Sequence, residues 1–130
     1  MGTFTADLSR FADLTEDKLR RVMQASIQDV LTIAQTTVAQ GGSMPVDTGF
    51  LRNSLVSELD GSEVARGGDS FVLTIAQMQI GQTSRFAWTA VYARARHYKG
   101  PDFGQGGGMW RDKAAQQWQA IVERNAGLVQ

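Results

Sequence analysis

A long stripe of apolar side chains near the N-terminus constrains the fold of this chain more than any other feature. Its members recur at steps of three and four residues: Leu19, Val22, Met23, Ser26, Ile27, Val30, Leu31, Ala34 and Val38. This spacing predicts a core-facing helix of about 25 residues, roughly 38 Å long. Thr15 is the expected N-cap, with Glu16 and Asp17 in the first turn, and Gly41 and Gly42 are expected to end the helix. Polar residues fall off the stripe: Arg20, Arg21, Gln24, Gln28 and Gln35.

The composition narrows the classes of function. The chain has 130 residues, which predicts a single domain over residues 1–130. Its 13 basic and 13 acidic residues balance, which argues against a free nucleic-acid binder driven by counterion release. The absence of cysteine excludes disulfides, thiol catalysis and thiolate metal sites. No apolar run approaches the roughly 20 residues of a membrane span, and we expect no cleaved secretory leader.

Charge is unevenly distributed along the chain. Residues 1–80 carry ten acidic and six basic side chains, whereas residues 81–130 carry three acidic and seven basic ones. The two sets either intermix in three dimensions or form two faces of opposite sign. Opposite faces would suit head-to-tail contacts between identical subunits, the geometry that closes into rings.

The rest of the chain predicts a small sheet flanked by helices. Asp60-Gly61-Ser62 indicates a hairpin turn, and Ser70–Met78 is the clearest strand because it alternates and is rich in β-formers. Phe86–Tyr98 predicts a helix with Trp88, Val91, Tyr92 and Ala95 on one face. A C-terminal helix is predicted from the stripe Trp110, Ala114, Trp118, Ile121 and Val122.

These elements predict an α+β fold, in which a long N-terminal helix and a C-terminal helix pack on a small antiparallel sheet. Two segments are weakly patterned. Residues 1–14 indicate an N-terminal arm, and residues 99–108 a glycine-rich loop. Either segment is a natural element to order against a neighbouring molecule.

Residues 45–55 predict a rigid corner. Pro45 favours an extended residue before it, and Asp47 is a good helix N-cap. Val46 and Leu51 have the spacing of a hydrophobic staple. Leu51, Ser54 and Leu55 then fall on one face of a short helix.

The same segment contains the triplet of aspartic proteases, Asp47-Thr48-Gly49. In a homodimer such aspartates share one proton between two carboxylates. The bulky Phe50 after the triplet and the helical patterns around it oppose this alternative, because that active site belongs to an all-β fold. Asp47 is therefore interpreted as a cap rather than as a catalytic acid.

Other catalytic and cofactor sites find no support. His97 is the single histidine, and no carboxylate cluster stands near it at ligand spacing, so we predict no metal site and expect His97 at the surface or at a helix end. Gly104–Gly108 lacks the Lys-Ser/Thr ending of a phosphate loop. We predict a protein without cofactor and without enzymatic activity.

Basic and aromatic residues interleave in the second half. Arg85, Arg94, Arg96 and Lys99 alternate with aromatic side chains, which indicates a solvated helix face, a subunit contact or a contact with DNA. Trp110 and Trp118 are expected either in the core or at an interface. The candidate interface residues are Arg85, Trp88, Tyr92, Arg94, Arg96, His97, Tyr98, Trp110 and Trp118.

Two motifs resemble those of the neck or tail-completion (minor tail) proteins of long-tailed bacteriophages. The stretch Pro45–Leu55 looks like the family's Pro-x-Asp-Thr-Gly-x-Leu-Arg-x-Ser hallmark. Its matching residues are Pro45, Asp47, Thr48, Gly49, Leu51, Arg52 and Ser54. Tyr92–Gly100 resembles the second, Tyr-Ala-x-x-x-Glu-aromatic-Gly, but has His97 in place of the acid and Lys99 as an extra residue. The resemblance covers about residues 15–125.

The resemblance implies a structural virion protein at the head–tail junction, which joins or completes the tail. Its implied partners are copies of itself in a ring, commonly of six, together with the connector and the tail tube. Non-specific contact with genomic DNA in the channel is also implied, but no membrane contact. A tail-terminator ring is the close alternative. Such a protein is assembled in the host cytoplasm and resides in the virion.

Overall fold

The computed structural model describes residues 15–45, 50–99 and 108–128, with only the backbone described at 50, 95, 96 and 99. The predicted arm 1–14 and most of the glycine-rich loop lie outside these ranges. The elements in chain order are α1 (Glu16–Gln35), a 3-10 turn (Val38–Gln40), α2 (Phe50–Asn53), β1 (Leu55–Leu59), β2 (Ser62–Arg66), α3 (Phe71–Gln77), β3 (Ser84–Trp88), α4 (Ala93–Lys99), α5 (Trp110–Ala115) and α6 (Trp118–Leu128).

Helix α1 begins at the predicted cap and ends earlier than predicted. The Thr15 hydroxyl accepts a hydrogen bond from the Lys18 amide at 3.3 Å. The helix has 20 residues and stops at Gln35, so the predicted continuation to Gly41 is wrong. Thr36 is already extended, because the Met44 amide returns to donate to its carbonyl at 3.1 Å. Burying Met44 in the core replaces the last turn of the predicted helix.

The apolar stripe of α1 faces the core, as predicted. Its buried members are Val22, Ser26, Ile27, Val30, Leu31 and Ala34. Val38 lies beyond the helix and is exposed. Gln35, which the pattern assigns to the polar side, is buried as well, and this part of the prediction is wrong.

The three strands form one antiparallel sheet in the order β2-β1-β3. A two-residue turn joins β1 to β2, with positive φ at Asp60 (50°) and Gly61 (85°), as type I′ hairpins require. The turn predicted there is confirmed. On the other side of β1, strand β3 pairs in unbroken register, from Leu55 opposite Trp88 to Leu59 opposite Ser84.

The strand predicted over Ser70–Met78 is wrong, because Phe71–Gln77 forms helix α3. Its buried side chains recur at helical steps: Phe71, Thr74, Ile75 and Met78. Val72 and Leu73 point outward and are exposed. Packing of the buried set against α1 and the sheet overrides the local β-preference of this segment.

The single helix predicted over Phe86–Tyr98 is wrong in its first half. Ser84–Trp88 is strand β3, and the helix begins only at Ala93. The Thr89 amide continues the ladder by donating to the Ser54 carbonyl at 3.1 Å. Val91, predicted on the apolar face, is fully exposed.

The short helix of the motif corner is present but ends at Asn53. Leu55, predicted on its face, is instead the first residue of β1. The Ser54 hydroxyl donates to the Leu51 carbonyl at 2.7 Å and closes the last turn. The predicted cap at Asp47 and the staple from Val46 lie outside the described residues.

The C-terminal stripe is buried as predicted, but in two helices separated by a turn at residues 116 and 117. Helix α6 is tied to α1 by side chains. Asn125 Nδ2 donates to Ser26 Oγ at 3.2 Å and to Asp29 Oδ2 at 3.0 Å, and Arg124 pairs with Asp29 at 2.9 Å.

The fold is α+β, as predicted, with the long N-terminal helix and the C-terminal helices packed on the sheet. The ion pairs Arg124–Asp29 and Arg85–Glu58 join the basic and acidic parts of the sequence, so their charges intermix in at least these two places. Among the helices of the described ranges, none is both long and apolar enough to cross a membrane.

Candidate functional site

Six of the predicted interface residues line one groove of about 270 Å³, here called the β3–α4 groove. Strand β3 contributes four consecutive residues, 85–88. Helix α4 contributes Ala93, Arg94, His97 and Tyr98, and α5 contributes Trp110 and Arg111. The α4 residues share one helical face, since they are spaced by one, three and four positions. Six of the nine predicted residues thus lie around one groove, and their role as an interface stays a prediction.

The groove runs along the open edge of β3. Successive side chains of a strand point to opposite faces of the sheet, so a groove on one face would contact every second residue. A groove that contacts the four consecutive residues 85–88 therefore runs along the edge of the sheet. The flanking bonds Thr89–Ser54 and Asp60–Thr83 fix which residues of β3 bond to β1. By alternation these are Arg85 and Ala87.

The other backbone N–H and C=O groups of β3 point away from β1 and belong to Ser84, Phe86 and Trp88. Of these three residues, Phe86 and Trp88 line the groove. No described residue forms a backbone hydrogen bond with them. This edge is a row of unpaired donors and acceptors, the template for an added strand.

Three aromatic rings build the floor. His97 lies edge-on to Trp110, with ring centroids 4.8 Å apart, and Trp110 lies edge-on to Trp88 at 5.9 Å. Such edge-to-face pairs stabilise beyond the area that they bury. His97 is 5% exposed and Trp110 2%, so both belong to the core of this chain. The surface position expected for His97 is wrong.

Polar atoms on this floor lack partners. Trp110 Nε1 and both ring nitrogens of His97 are buried without a hydrogen bond in the described part of the chain. Asp112 Oδ1 stands 3.9 Å from His97 Nε2, which is too far for a hydrogen bond. Most buried polar groups in proteins have a hydrogen-bond partner. The N–H groups of Trp110 and His97 are exceptions among the described residues, because each lacks an acceptor.

The protonation of His97 follows from its surroundings. Burial and then the positive charge of Arg111 lower its pKa below the ordinary value, against the opposing influence of Asp112. The imidazole is therefore neutral near pH 7, with one N–H donor and one bare nitrogen.

Arginines line the rim of the groove. Arg111 donates to Asp112 Oδ1 at 3.0 Å and to the Tyr98 hydroxyl at 2.9 Å. Arg85 reaches Glu58 at 3.4 Å across the sheet. Arg94 is exposed and forms no hydrogen bond or ion pair with any described residue. The rim is therefore positively charged, and no described acidic side chain neutralises Arg94.

A buried amide connects the motif corner to the groove. Gln35 Nε2 donates to the carbonyls of Arg52 (3.0 Å) and Gly68 (2.9 Å), and its Oε1 accepts from Trp88 Nε1 at 2.8 Å. Arg52 donates back to the Gln35 carbonyl at 3.1 Å and pairs with Asp69 at 2.6 Å. The corner thus fixes α2 against α1 and holds Trp88 in place.

Gln35 and Arg111 are the site residues that the sequence prediction missed. Gln35 lies four positions after Leu31, and this spacing is the signal from which its burial could have been predicted. Arg111 carried no signal, because nothing in the sequence places it beside Tyr98.

The remaining predicted residues lie elsewhere. Tyr92 is half-buried against the core, and Trp118 is 5% exposed within α6. Trp118 therefore has no surface for a partner. The side chain of Arg96 and the triplet Asp47-Thr48-Gly49 fall outside what the structure describes.

The described lining of the groove consists of arginines, aromatic rings and a histidine, together with two alanines. In the described ranges no three histidine, cysteine or acidic side chains cluster so that they could hold a metal ion. The groove offers an indole N–H, an imidazole and guanidinium groups, and none of the described residues that line it is a serine, threonine or cysteine. These groups suit the recognition of anionic or carbonyl oxygens.

Comparison with known proteins adds no family to this picture. No protein-family model, curated protein or solved structure matches the chain.

Proposed function

We propose that this protein is a structural component of a tailed-phage virion, located at the head–tail junction, where it joins or completes the tail. The observation that carries the proposal is the resemblance of Pro45–Leu55 to the hallmark of neck and tail-completion proteins. The protein acts by assembly rather than by turnover. It forms a ring of identical subunits around the DNA channel, between the connector and the tail tube.

The role of the motif in this fold supports the proposal. Arg52 ties α2 to α1, and Ser54 sets the point where the helix gives way to β1. Through Gln35 the same corner positions Trp88 in the β3–α4 groove. A motif that shapes a contact surface is what an assembly protein needs, whereas a catalytic motif would gather reactive groups.

Electron microscopy of assembled particles tests the proposal. Purified protein, alone and mixed with heads and tails from a phage mutant that lacks it, is expected to form rings or to occupy the junction. Protein that remains monomeric in every mixture would remove the proposal's main support. Rings that bind tail tubes but not the head connector would favour the tail-terminator alternative.

Two other functions are tested by simple assays. A homodimeric protease would cleave peptide bonds and lose this activity in Asp47→Ala, and the α+β fold with its three-stranded sheet offers no all-β framework for it. DNA contact through Arg94 and Arg96 predicts salt-sensitive binding that falls when both are neutralised. We expect no cleavage, and DNA contact only of the non-specific kind.

A further inference from the structure

We infer that the β3–α4 groove binds an extended, acidic segment of another protein, which adds to β3 as a fourth strand. This goes beyond the junction role proposed above, because the groove would take such a segment whether or not the protein belongs to a virion. Three observations carry it: the open backbone edge, the unmet donors on the floor and the charge of the rim.

The edge sets the shape of the occupant. Only an extended backbone can satisfy the alternate N–H and C=O groups of Ser84, Phe86 and Trp88 together. Strand β3 has five residues, so it pairs with about 17 Å of extended chain. The groove continues beside this edge to α4 and leaves room for side chains of the segment.

The floor and the rim set its chemistry. The side chain of Trp110 is buried, and its Nε1 lacks a hydrogen-bond acceptor within the described part of the chain. Arg94, on the rim, has no ionic partner among the described residues, and none of the described residues that line the groove is acidic. A carboxylate entering the groove can approach Arg94, which gives a charge-assisted bond in a partly desolvated place.

A second copy of the chain is a poor occupant. Pairing β3 with β3 of another copy would bring Arg85 and Arg94 of both copies together, and like charges at close range oppose such a contact. The other sheet edge, β2, is interrupted by a register shift opposite Ser57 and Glu58, which spoils regular pairing. The partner is therefore another protein with acidic side chains at alternate positions.

Peptide binding to the full-length protein tests the inference. The probe is a fluorescein-labelled peptide, Thr-Glu-Val-Glu-Val-Glu-Thr, titrated in a fluorescence anisotropy assay. We expect micromolar affinity, and at least tenfold weaker binding when lysines replace the glutamates. Arg94→Gln is expected to weaken binding about tenfold, whereas Arg21→Gln, an exposed arginine on α1, leaves it unchanged.

Two N-methylated peptides test strand addition itself. Methyl groups on one alternate set of amides face β3 and abolish binding, whereas those on the complementary set face solvent and are tolerated. Equal binding of both peptides, no binding of the parent peptide, or no preference over the lysine version would each overturn the inference. Tighter binding of a single-stranded 15-nucleotide DNA at this groove would also overturn it, in favour of a nucleic-acid partner.

Discussion

The two edges of the sheet are built in opposite ways. Strand β2 pairs with β1 through a register shift, and its exposed side chains include the ion pair Glu63–Arg66 at 2.6 Å. Strand β3 pairs with β1 in unbroken register and carries Phe86 and Trp88, half-buried beside the groove. Bulges protect an edge from pairing, so the register shift gives β2 a protection that the regular strand β3 lacks.

From this difference we infer which side of the sheet binds a partner. An open sheet edge promotes unwanted pairing with other chains unless something covers it. Because β2 is protected and β3 is not, we expect a binding partner to cover β3. The open edge is also where the basic rim and the unsatisfied donors lie. The β3 side is thus the side on which a partner is expected.

The largest effect is expected from Gln35→Ala. The variant loses the bonds from Trp88 Nε1 and to the Arg52 and Gly68 carbonyls, and it leaves these buried groups without partners. We expect the free energy of unfolding to fall by about 3–4 kcal/mol in urea denaturation. Gln28→Ala, at an exposed position of the same helix, is the control and should change it by less than about 0.5 kcal/mol. Equal effects of the two would show that Gln35 does not anchor Trp88.

The next largest effect is expected from a proline substitution in β3. Ala87→Pro removes an N–H that bonds to β1 and leaves a carbonyl of β1 without its donor, so it should cost about 2–3 kcal/mol in the same denaturation experiment. Ser84→Pro removes an outward N–H at the first residue of the strand and should cost less than about 1 kcal/mol. A larger loss from Ser84→Pro than from Ala87→Pro would mean that the Ser84 N–H, and not the Ala87 N–H, bonds to β1.

A smaller effect is expected from pH. The pKa of His97 in the folded protein is lowered from its ordinary value of 6.5, so the unfolded chain binds the proton more readily. The contribution of His97 to the free energy of unfolding is therefore fully present above pH 6.5. It falls as the pH drops through 6.5 toward the lower pKa of the folded protein. Thermal denaturation between about pH 8 and pH 5.5 should show this loss, and His97→Gln should abolish it, because the chain has no other histidine. A flat profile in the wild-type protein would contradict the burial of a neutral imidazole.

The smallest effect belongs to the protected edge. Glu63 and Arg66 form a fully solvated ion pair, and the hydrogen bond from Arg66 lowers the pKa of Glu63. Solvent screens such a pair, so Glu63→Ala should leave the denaturation midpoint unchanged within error. A clear loss of stability would show that the pair holds β2 in place rather than merely blunting it.

The sequence predicted the elements that rest on strong local signals. The cap at Thr15, the stripe of α1 and the hairpin turn at Asp60-Gly61 each depend on neighbouring residues alone, and each is confirmed. The predicted α+β class is confirmed, although the strand predicted at residues 70–78 is a helix. The candidate interface residues Arg85, Trp88, Arg94 and His97 do lie around one groove, although strand β3 and helix α4 bring them together and not the single helix that the sequence predicted.

The sequence failed where distant packing decides the structure. Residues 71–77 consist largely of β-formers, yet they form a helix, because Phe71, Thr74 and Ile75 can all be buried only at helical spacing. No glycine or proline marks the break between β3 and α4, so the boundary at Thr89 left no signal. The edge-on groove could not be predicted at all, since it depends on which side of β1 receives β3.

Residue-resolved amide hydrogen exchange of the free protein tests the central claim that the β3 edge is open. The account predicts alternation: the amides of Arg85 and Ala87, bonded to β1, exchange slowly, whereas those of Phe86 and Trp88, facing the groove, exchange at least tenfold faster. Slow exchange at all four amides would contradict the account, because it would mean that the chain itself or a second copy already covers the edge.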